Sequence, residues 1–554
     1  MKVYFIPILF LLVFAACKKQ DTIPQPGAPF NINNIKINDS SFIHSTIYNV
    51  GITPRINVSF NAPVNRISVS ANVTMSASTG MNIPLNYNYE NNDNLLVIST
   101  QSALNHITSY TLTISEQLKN RKDSALHQDM NVTFITAIDS TDKFPRISDS
   151  ALLTLVEEQT FKYFWDFGHP VSGMARERNT SGDVCTTGGT GFGIMAMLVA
   201  MNRSFISRSD GLNRIQKIVT FLQNKCTTYH GAFSHWVNGA TGATVPFSTE
   251  DDGADLVETS YLMMGLLCAR QYFNENNVSE DTLRNDINDL WNGVEWNFFA
   301  PPSSGGGQGE ALYWHWSPNY GWENNLTISG WNEALITYVL AASANKDSIS
   351  KSVYDNGWAR NGAMKNGKQF FGITLPLGPD YGGPLFFSQY SFLGLNPHGL
   401  SDTYANYWTQ DTAQAMINYL YCVNNPQNYN GYSNLCWGLT ASDDNNGYSA
   451  HSPTNDDGVI SPTAAISSLP YTPVESMNAL KFFYYTLGDK IWGEYGFKDA
   501  FNLSNVWFAN SYLAIDQAPE MIMIENYRSG LLWNLFMNCP EIQRGLGRLG
   551  FTVK

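Results

Sequence analysis

The sequence predicts a mainly α protein: a large domain of paired helices closed into a toroid, preceded by a small all-β sandwich. Three observations predict it. Residues 31–137 carry short alternating or β-branched runs separated by Asn, Gly and Pro. Near residue 148 the apolar spacing switches to about 3.6. Helical runs then fill the rest of the chain, joined by long loops rich in Gly, Pro, Asn and aromatics, with little strand signal.

The runs "PRINVSF", "NRISVSANVTM", "LLVIST" and "SYTLTIS" predict the strands of the sandwich over 31–137. This part resembles the Ig-like modules of bacterial surface proteins. "DSTDKFPRISDS" closes it as a polar linker over 138–150. The second domain then runs from 151 to 554. "SDSALLTLVEEQTFKYFWDF" opens it with a Ser/Asp cap. Further helices are predicted near 190–202, 210–226, 253–275, 280–298, 329–344, 349–360, 403–423, 462–487 and 515–538. Long loops in a compact domain usually carry function.

Composition narrows the partner classes. The 554 residues are 43% apolar and 14% charged, which suits a large globular core. A net charge of −14 disfavours nucleic acid and anionic membrane surfaces. Aromatics reach 13%, with 14 Trp and 28 Tyr. That excess builds either a large core or a carbohydrate site, where ring faces stack on sugars. The chain is expected to act as a monomer.

The first residues, "MKVYFIPILFLLVFAAC", have a basic start, a short apolar stretch and small residues before Cys17. The stretch is too short to span a membrane comfortably. It resembles a bacterial lipoprotein signal, 1–17, with cleavage before Cys17 and lipidation of its sulfur. An ordinary secretory peptide is the alternative. Residues 18–30 then form a tether. The expectation is an exported lipoprotein anchored at the outer membrane, on either face.

The chemistry concentrates in "EDDGADLVETS", residues 250–260, which precedes the apolar run "YLMMGLLCA". At 100° per residue, Asp251, Asp255 and Glu258 share one helix face, and the stripe continues as Leu262, Gly265 and Leu266. Acids at a helix start also complement its dipole, which accounts for Asp251 and Asp252 but poorly for Glu258. Crowded carboxylates in a partly dry cleft separate into a protonated acid and an ionised base. Glycoside hydrolysis uses such a pair. Glu333 in "ISGWNEALITYVL", Asp516 in "LAIDQAPE" and Glu525 in "MIENYRSGLLW" are further acids in aromatic, Gly-rich surroundings.

Candidate sugar ligands are Arg176, Glu177 and Arg178 in "ARERN" and His235 and Trp236 in "FSHW". Trp314, Trp316, Tyr320 and Trp322 crowd "LYWHWSPNYGWE". Tyr390 and His398 in "FFSQYSFLGLNPHG", Glu475 in "YTPVESM", and Tyr527 and Arg528 complete the set. "TGGTGFG" (187–193) lacks the Lys and the preceding strand of a phosphate loop, so its glycines predict close backbone approach. "SDDNNGYSAHSPTNDDG" (442–458) has acids near calcium spacing without a closing Glu. The six cysteines after Cys17 have no C-x-x-C, and there is no H-E-x-x-H or G-x-S-x-G. No metal and no cofactor are expected.

Several motifs in one order carry a closer resemblance. "TEDDGADLVETSYLMMGLL", "WSPNYGWENN", "GWNEA", "FFSQYSFLGL", "GVISPTAAISSLPYTPVESM" and "AIDQAPEMIMIENYRSGLLW" resemble glycoside hydrolase family 144, the bacterial β-1,2-glucanases of the glucoamylase-like group. The resemblance covers roughly 148–550. It implies an (α/α)6 toroid and inverting hydrolysis of β-1,2-glucosidic bonds in β-glucan or its oligosaccharides, by endo action or by exo release of sophorose. It also implies essential acids at Asp251, Asp255 and Glu258 and in the motifs of Glu333 and Asp516. Glu333 is the expected general acid, with Asp255 or Asp251 activating water. Two other readings stay open: a non-catalytic glycan-binding lipoprotein, and a toroid hydrolase or lyase for another polysaccharide.

Overall fold

The computed structural model describes residues 29–38, 40–42, 46–302 and 309–554. Cys17, the signal segment and the tether up to residue 28 lie outside the described residues. The chain divides into two compact units at Ala137/Ile138.

The first unit is a β-sandwich. One sheet has the order β2-β1-β4-β7-β6, with β1 Ile32–Ile37, β2 Ser40–Ser41, β4 Arg55–Phe60, β6 Leu85–Glu90 and β7 Leu95–Thr100. The other has the order β3-β9-β8-β5, with β3 Ile47–Val50, β5 Val73–Ala77, β8 Ser109–Ile114 and β9 Met130–Thr136. Alternation decides the inward face: Ile56, Val58 and Phe60 of β4, and Tyr110, Leu112 and Ile114 of β8, are all buried. Phe30 is buried and stacks on Phe60 at 5.2 Å, so it belongs to this core rather than to the tether. The predicted strand "NRISVSANVTM" splits. Arg66–Asn72 is a helix capped by the Asn65 side chain, and only from Val73 does the chain extend. The Asn cap outweighs the β-branched composition there.

The second unit is helix-rich. Its main helices are α1 Asp149–Trp165, α2 Thr187–Asn202, α3 Arg208–Asn224, α4 Leu256–Tyr272, α5 Val278–Gly293, α6 Leu335–Ser343, α7 Tyr407–Asn424, α8 Pro462–Ser467, α9 Pro473–Lys481, α10 Ala514–Ser529, α11 Leu531–Met537 and α12 Pro540–Leu549. The linker is packed, not free: Phe144 stacks on Tyr484 at 4.6 Å and the Ile147 N–H donates to the Tyr485 hydroxyl. Ser148 caps α1.

Helices α2 and α4 are apolar on all sides and lie in the middle of this unit. They cross at two glycines. A Cβ on Gly191 would stand 2.2 Å from the Tyr261 carbonyl, and one on Gly265 2.1 Å from the Gly191 carbonyl. The close approach expected of "TGGTGFG" is therefore a helix crossing. Helix α10 packs on α1, α2 and α8.

Three predicted helices are broken up. The run 462–487 divides at Ser468–Thr472, where Pro473 starts α9. The run 515–538 divides at Gly530, which takes a left-handed φ of 69° between α10 and α11. Over 349–360 there is only a short helix followed by a π turn at Tyr354–Trp358. The loops also hold many two-residue hairpins, such as Ala254–Asp255 with His315–Trp316, which the expectation of little strand did not foresee. Pairings that short leave no periodic trace. Among the described residues no helix is long and apolar enough to cross a membrane.

Candidate active site

The site forms where the N-terminal ends of α2, α4 and α10 meet. Thr186 and Gly188 at the start of α2 bond Glu258 of α4, and a Cβ on Gly189 would touch the Ala514 Cβ of α10 at 2.9 Å. Three positive helix ends here favour carboxylates.

Asp255 is the N-cap of α4; its Oδ1 accepts the Glu258 N–H at 2.9 Å. Its Oδ2 lies 3.0 Å from His235 Nδ1 and 3.5 Å from His315 Nε2. His315 Nε2 also lies 3.3 Å from Asp251 Oδ2, and Asn324 faces its Nδ1. Asp251 is not on the helix, contrary to the shared-face reading. The loop 247–253 and the two-residue strand Ala254–Asp255, paired with His315–Trp316, carry it to the same place. Its Oδ1 is buried without a partner.

Burial and neighbouring charges sort these groups. Burial opposes charge on both histidines, but the surrounding acids win and lift His235 to about 9 and His315 above its usual value. Burial also opposes the Asp255 anion, yet the two histidines hold it well below the carboxylate range. Burial and the Asp255 charge raise Asp251 to about 6. Burial raises Glu258, whose Oε2 accepts the Gly188 N–H at 2.8 Å and the Thr186 hydroxyl at 3.1 Å. Glu333 sits just before α6. Burial first, then the Glu258 and Asp255 charges, push its carboxyl up to about 7. Its own carbonyl accepts from Ser391 and from Tyr261.

Ligand atoms of His235, Asp251 and Asp255 lie within 4.8 Å of one another and so could hold a metal ion. Their hydrogen bonding suits another state. Asp255 favours the protonated form of both imidazoles, and a protonated imidazole has no nitrogen lone pair to offer a metal.

A cavity of about 330 Å³ opens over this cluster, walled by Thr186, His235, Trp236, Phe247, Glu177 and Tyr448. Phe247 packs on His235 at 4.4 Å and on Trp236 at 4.8 Å. An adjoining groove of about 620 Å³ shares Arg178 and Tyr448 and adds Asp443, Trp507 and Phe508. Arg178 bridges Glu177 at 3.0 Å and Asp443 at 3.1 Å. On the α10 side Tyr390 donates to Asp516 Oδ1 at 3.4 Å. Burial and a neighbouring acid, Asp499, raise Asp516 well above its usual value. Phe247 and Tyr448 are about half exposed, and rings in an open cleft suit sugar faces.

Asp251, Asp255, Glu258, Glu333, Asp516, Glu177, Arg178, His235, Trp236 and Tyr390 thus belong to one region. Arg176 stands beside it, with its guanidinium stacked over Phe167 at 4.7 Å. Other candidates lie elsewhere. Arg528 is committed to Glu157, a fully buried acid, and Glu525 to Arg203. Tyr527 and Arg528 line a different groove with Pro473 and Lys481, and Glu475 lies on α9. His398 stacks on Trp408 at 3.6 Å. Trp316 packs on His230 and Phe298, and Trp322 on Phe298 and Tyr313, while Tyr320 is exposed. Of that loop His315 stands against Asp251 and Asp255, with Trp314 packed on its ring, and Ser317 and Asn319 bond Asp252. Trp316 and Trp322 thus pack on neighbouring rings while staying partly exposed. Sequence reasoning passed over His315, Thr186, Phe247, Asp443, Tyr448 and Asp499. Two had a signal: His315 lies inside the tryptophan motif, and Asp443 inside the run read for calcium.

Residues 325–540 match the family described as "Putative glucoamylase", and residues 36–136 match a bacterial Ig-like domain. The exo β-1,2-glucooligosaccharide sophorohydrolase (non-reducing end) of Parabacteroides distasonis is 45% identical over 425 residues. That match covers 73% of this chain and 58% of the relative, so the chain spans less than two thirds of the curated protein it matches. The structure of the endo-β-1,2-glucanase from Chitinophaga pinensis, with sophorotriose and glucose, is 49% identical with a TM-score of 0.71, covering 74% of this chain and 99% of that one. A β-1,2-glucanase structure from Parabacteroides distasonis is 36% identical with a TM-score of 0.71, covering 95% of this chain and 74% of that one. With nearly all of the Chitinophaga chain matched at that identity, this chain belongs to the glucoamylase-like family of bacterial β-1,2-glucanases.

Proposed function

We propose that this protein is an inverting glycoside hydrolase that cleaves β-1,2-glucosidic bonds in β-1,2-glucan or its oligosaccharides, either internally or by releasing sophorose from an end. The observation that carries the reading is Glu333. Burial and the Glu258 and Asp255 charges raise its carboxyl to about 7, so a large share of it keeps its proton near neutral pH. A general acid needs that property. Its proton passes to the glycosidic oxygen as the C–O bond breaks.

The base must take a proton from water on the other side of the sugar. Asp255 suits this poorly: it is fully buried and committed to two histidines and the α4 N-terminus. Asp251 faces His315 in the same network. Asp516 is better supported. Its neighbours Leu513 and Ile515 line the cavity, and Tyr390 stands within interaction range of both Asp516 and Glu333. In this reading Asp255, Asp251 and the two histidines hold Glu258 and the cavity wall in place. Glu177, Arg178, Trp236 and Tyr448 contact the glucan.

The paired helices of the second unit are read as an (α/α)6 toroid over 151–554. The "MKVYFIPILFLLVFAAC" start supports export as a lipoprotein anchored through Cys17 at the outer membrane. Product analysis tests the activity: linear β-1,2-glucan beside β-1,3, β-1,4 and α-1,4 glucans. A ladder of oligomers from the β-1,2 chain means endo action, and disaccharide from the outset means exo action. No release from any of them sinks the proposal. Anomer-resolved NMR tests inversion, and a retained anomer overturns it.

A further inference from the structure

We propose that Asp499 is a positioning residue for the hydrolytic step: it meets Asp516 carboxyl to carboxyl, and the two share a single proton. The inference rests on the reading of Asp516 as the base.

Asp499 lies in the loop before α10 and is fully buried, while Asp516 is 5% exposed. Asp499 Oδ1 and Asp516 Oδ2 find no other partner, and the two side chains are in hydrogen-bonding contact. Their remaining oxygens are occupied. Asp499 Oδ2 accepts the Asp443 N–H at 2.7 Å, and Asp516 Oδ1 accepts the Tyr390 hydroxyl at 3.4 Å. Carboxylate oxygens only accept, so two in contact need a proton between them. Two buried like charges at that distance cannot both persist, so the pair carries one proton and one negative charge.

The surrounding charges leave this conclusion intact. The hairpin 441–450 contributes Asp443, Asp444 and Tyr448. Asp443 is neutralised by Arg178 and bonded by the Ser511 hydroxyl. Arg178 is shared with Glu177. Glu520, one turn on along α10, is bonded to Thr160, and Lys498 is turned to Asn510. No described cation reaches the pair directly. Burial raises Asp499 to about 7 and Asp516 well above its usual value, in line with a retained proton.

The pair serves the chemistry in a definite way. When the shared proton rests on Asp499, its hydrogen bond holds Asp516 as the carboxylate although burial favours the neutral acid. Asp516 then takes a proton from water. The water O–H bond breaks, its oxygen pair forms the bond to the anomeric carbon, and the glycosidic C–O bond breaks with Glu333 protonating the leaving oxygen. Both acids reset by exchange with solvent. Throughout, the site needs to accommodate only one negative charge beside the sugar.

The experiment compares wild type, Asp499→Asn and Asp516→Asn on linear β-1,2-glucan across pH. Infrared difference spectra of protein with ¹³C-labelled aspartate carboxyls are recorded alongside. Asn at 499 still accepts the Asp443 N–H and can donate to Asp516, but holds no proton to share. The expectation for D499N is a kcat fall of about 10–100-fold, an acidic limb moved to higher pH by about one unit or more because the amide is a weaker donor to the Asp516 carboxylate than the acid it replaces, and KM within about twofold. The protonated-carboxyl band loses one aspartate, while buried Asp411 supplies the same signal in every sample. An unmoved limb, or an unchanged band, overturns the proposal. If D499N fails to fold, the wild-type band decides: a pair sharing one proton releases its two protons in two separate steps with pH, and release of both in one step overturns the proposal. D516N retaining activity sinks the base assignment, while the band still reports whether the pair shares a proton.

Discussion

Replacing Gly188 by Ala separates the structural argument from ordinary helix behaviour. Gly188 is the second residue of α2, and Gly→Ala inside a helix normally stabilises by about 0.5–1 kcal/mol. Here the geometry predicts the opposite. A Cβ would stand 2.5 Å from Glu258 Oε2, 2.9 Å from its Cδ and 3.0 Å from a Tyr261 ring carbon. Glu258 must then leave its place, and the 2.8 Å bond from the Gly188 N–H is lost with it. A hydrogen bond to a charged group is worth about 1.5–3 kcal/mol. If Glu258 is held for catalysis, that converts to a fall of about 10- to 150-fold in kcat/KM. The assay is initial rate on linear β-1,2-glucan, with thermal unfolding alongside. Gly547 is the control, because it sits in α12 with nothing within 4 Å of its Cβ position. G547A is expected to raise the unfolding temperature slightly and leave the rate unchanged. G188A with kcat/KM within about threefold of wild type would refute the placement of Glu258.

Glu333→Gln is expected to cost about 10²–10⁴ in kcat, and the wild-type rate should fall as pH rises through about 7, where Glu333 loses its proton; a basic limb well above 8 counts against Glu333 as the acid. Asp255→Ala removes a helix cap and strands two charged histidines, so it should lower the unfolding temperature as well as the rate, unlike E333Q. Arg528→Ala is expected to leave kcat within about twofold while destabilising the fold by about 1–3 kcal/mol, because Glu157 loses its partner in the interior; a selective loss of substrate affinity would restore Arg528 to the sugar site. Burial raises Glu520 to about 8 from its ordinary 4.5, so its folded value lies above the unfolded one. Its share of stability is full below about pH 4.5 and is lost as pH rises through 8. Glu520→Gln should flatten the pH dependence of unfolding across that window, and an unchanged slope contradicts a buried, protonated Glu520.

What was legible in the sequence follows from the range of the interactions involved. Helices α2 and α4 were readable because their apolar runs are long, and α4 also carries a local cap in Asp255. Asp255 and Glu258 were readable as a pair because three residues in a first turn fix their relation. Asp251 was assigned to the same face by the same rule and reached the same partners by another route, through a loop and a two-residue strand. His315 could not be placed that way. Its position depends on the pairing of His315–Trp316 with Ala254–Asp255, sixty residues away in sequence, and two-residue pairings carry no periodic signature. The aromatic loop is ambiguous for a related reason. Clustered tryptophans signal apolar surface to be covered, and composition does not distinguish a sugar from the ring of Phe298 as the cover. The ionisable residues show the same limit most sharply. Arg528 and Glu525 had motif and neighbourhood equal to those of Asp516, yet two of them are closed by partners of opposite charge while Asp516 meets another acid. A buried carboxyl satisfied by arginine has no spare proton chemistry to offer; one facing a second carboxyl must hold a proton near neutrality. That difference lies in the partner's charge, which only the fold brings into contact.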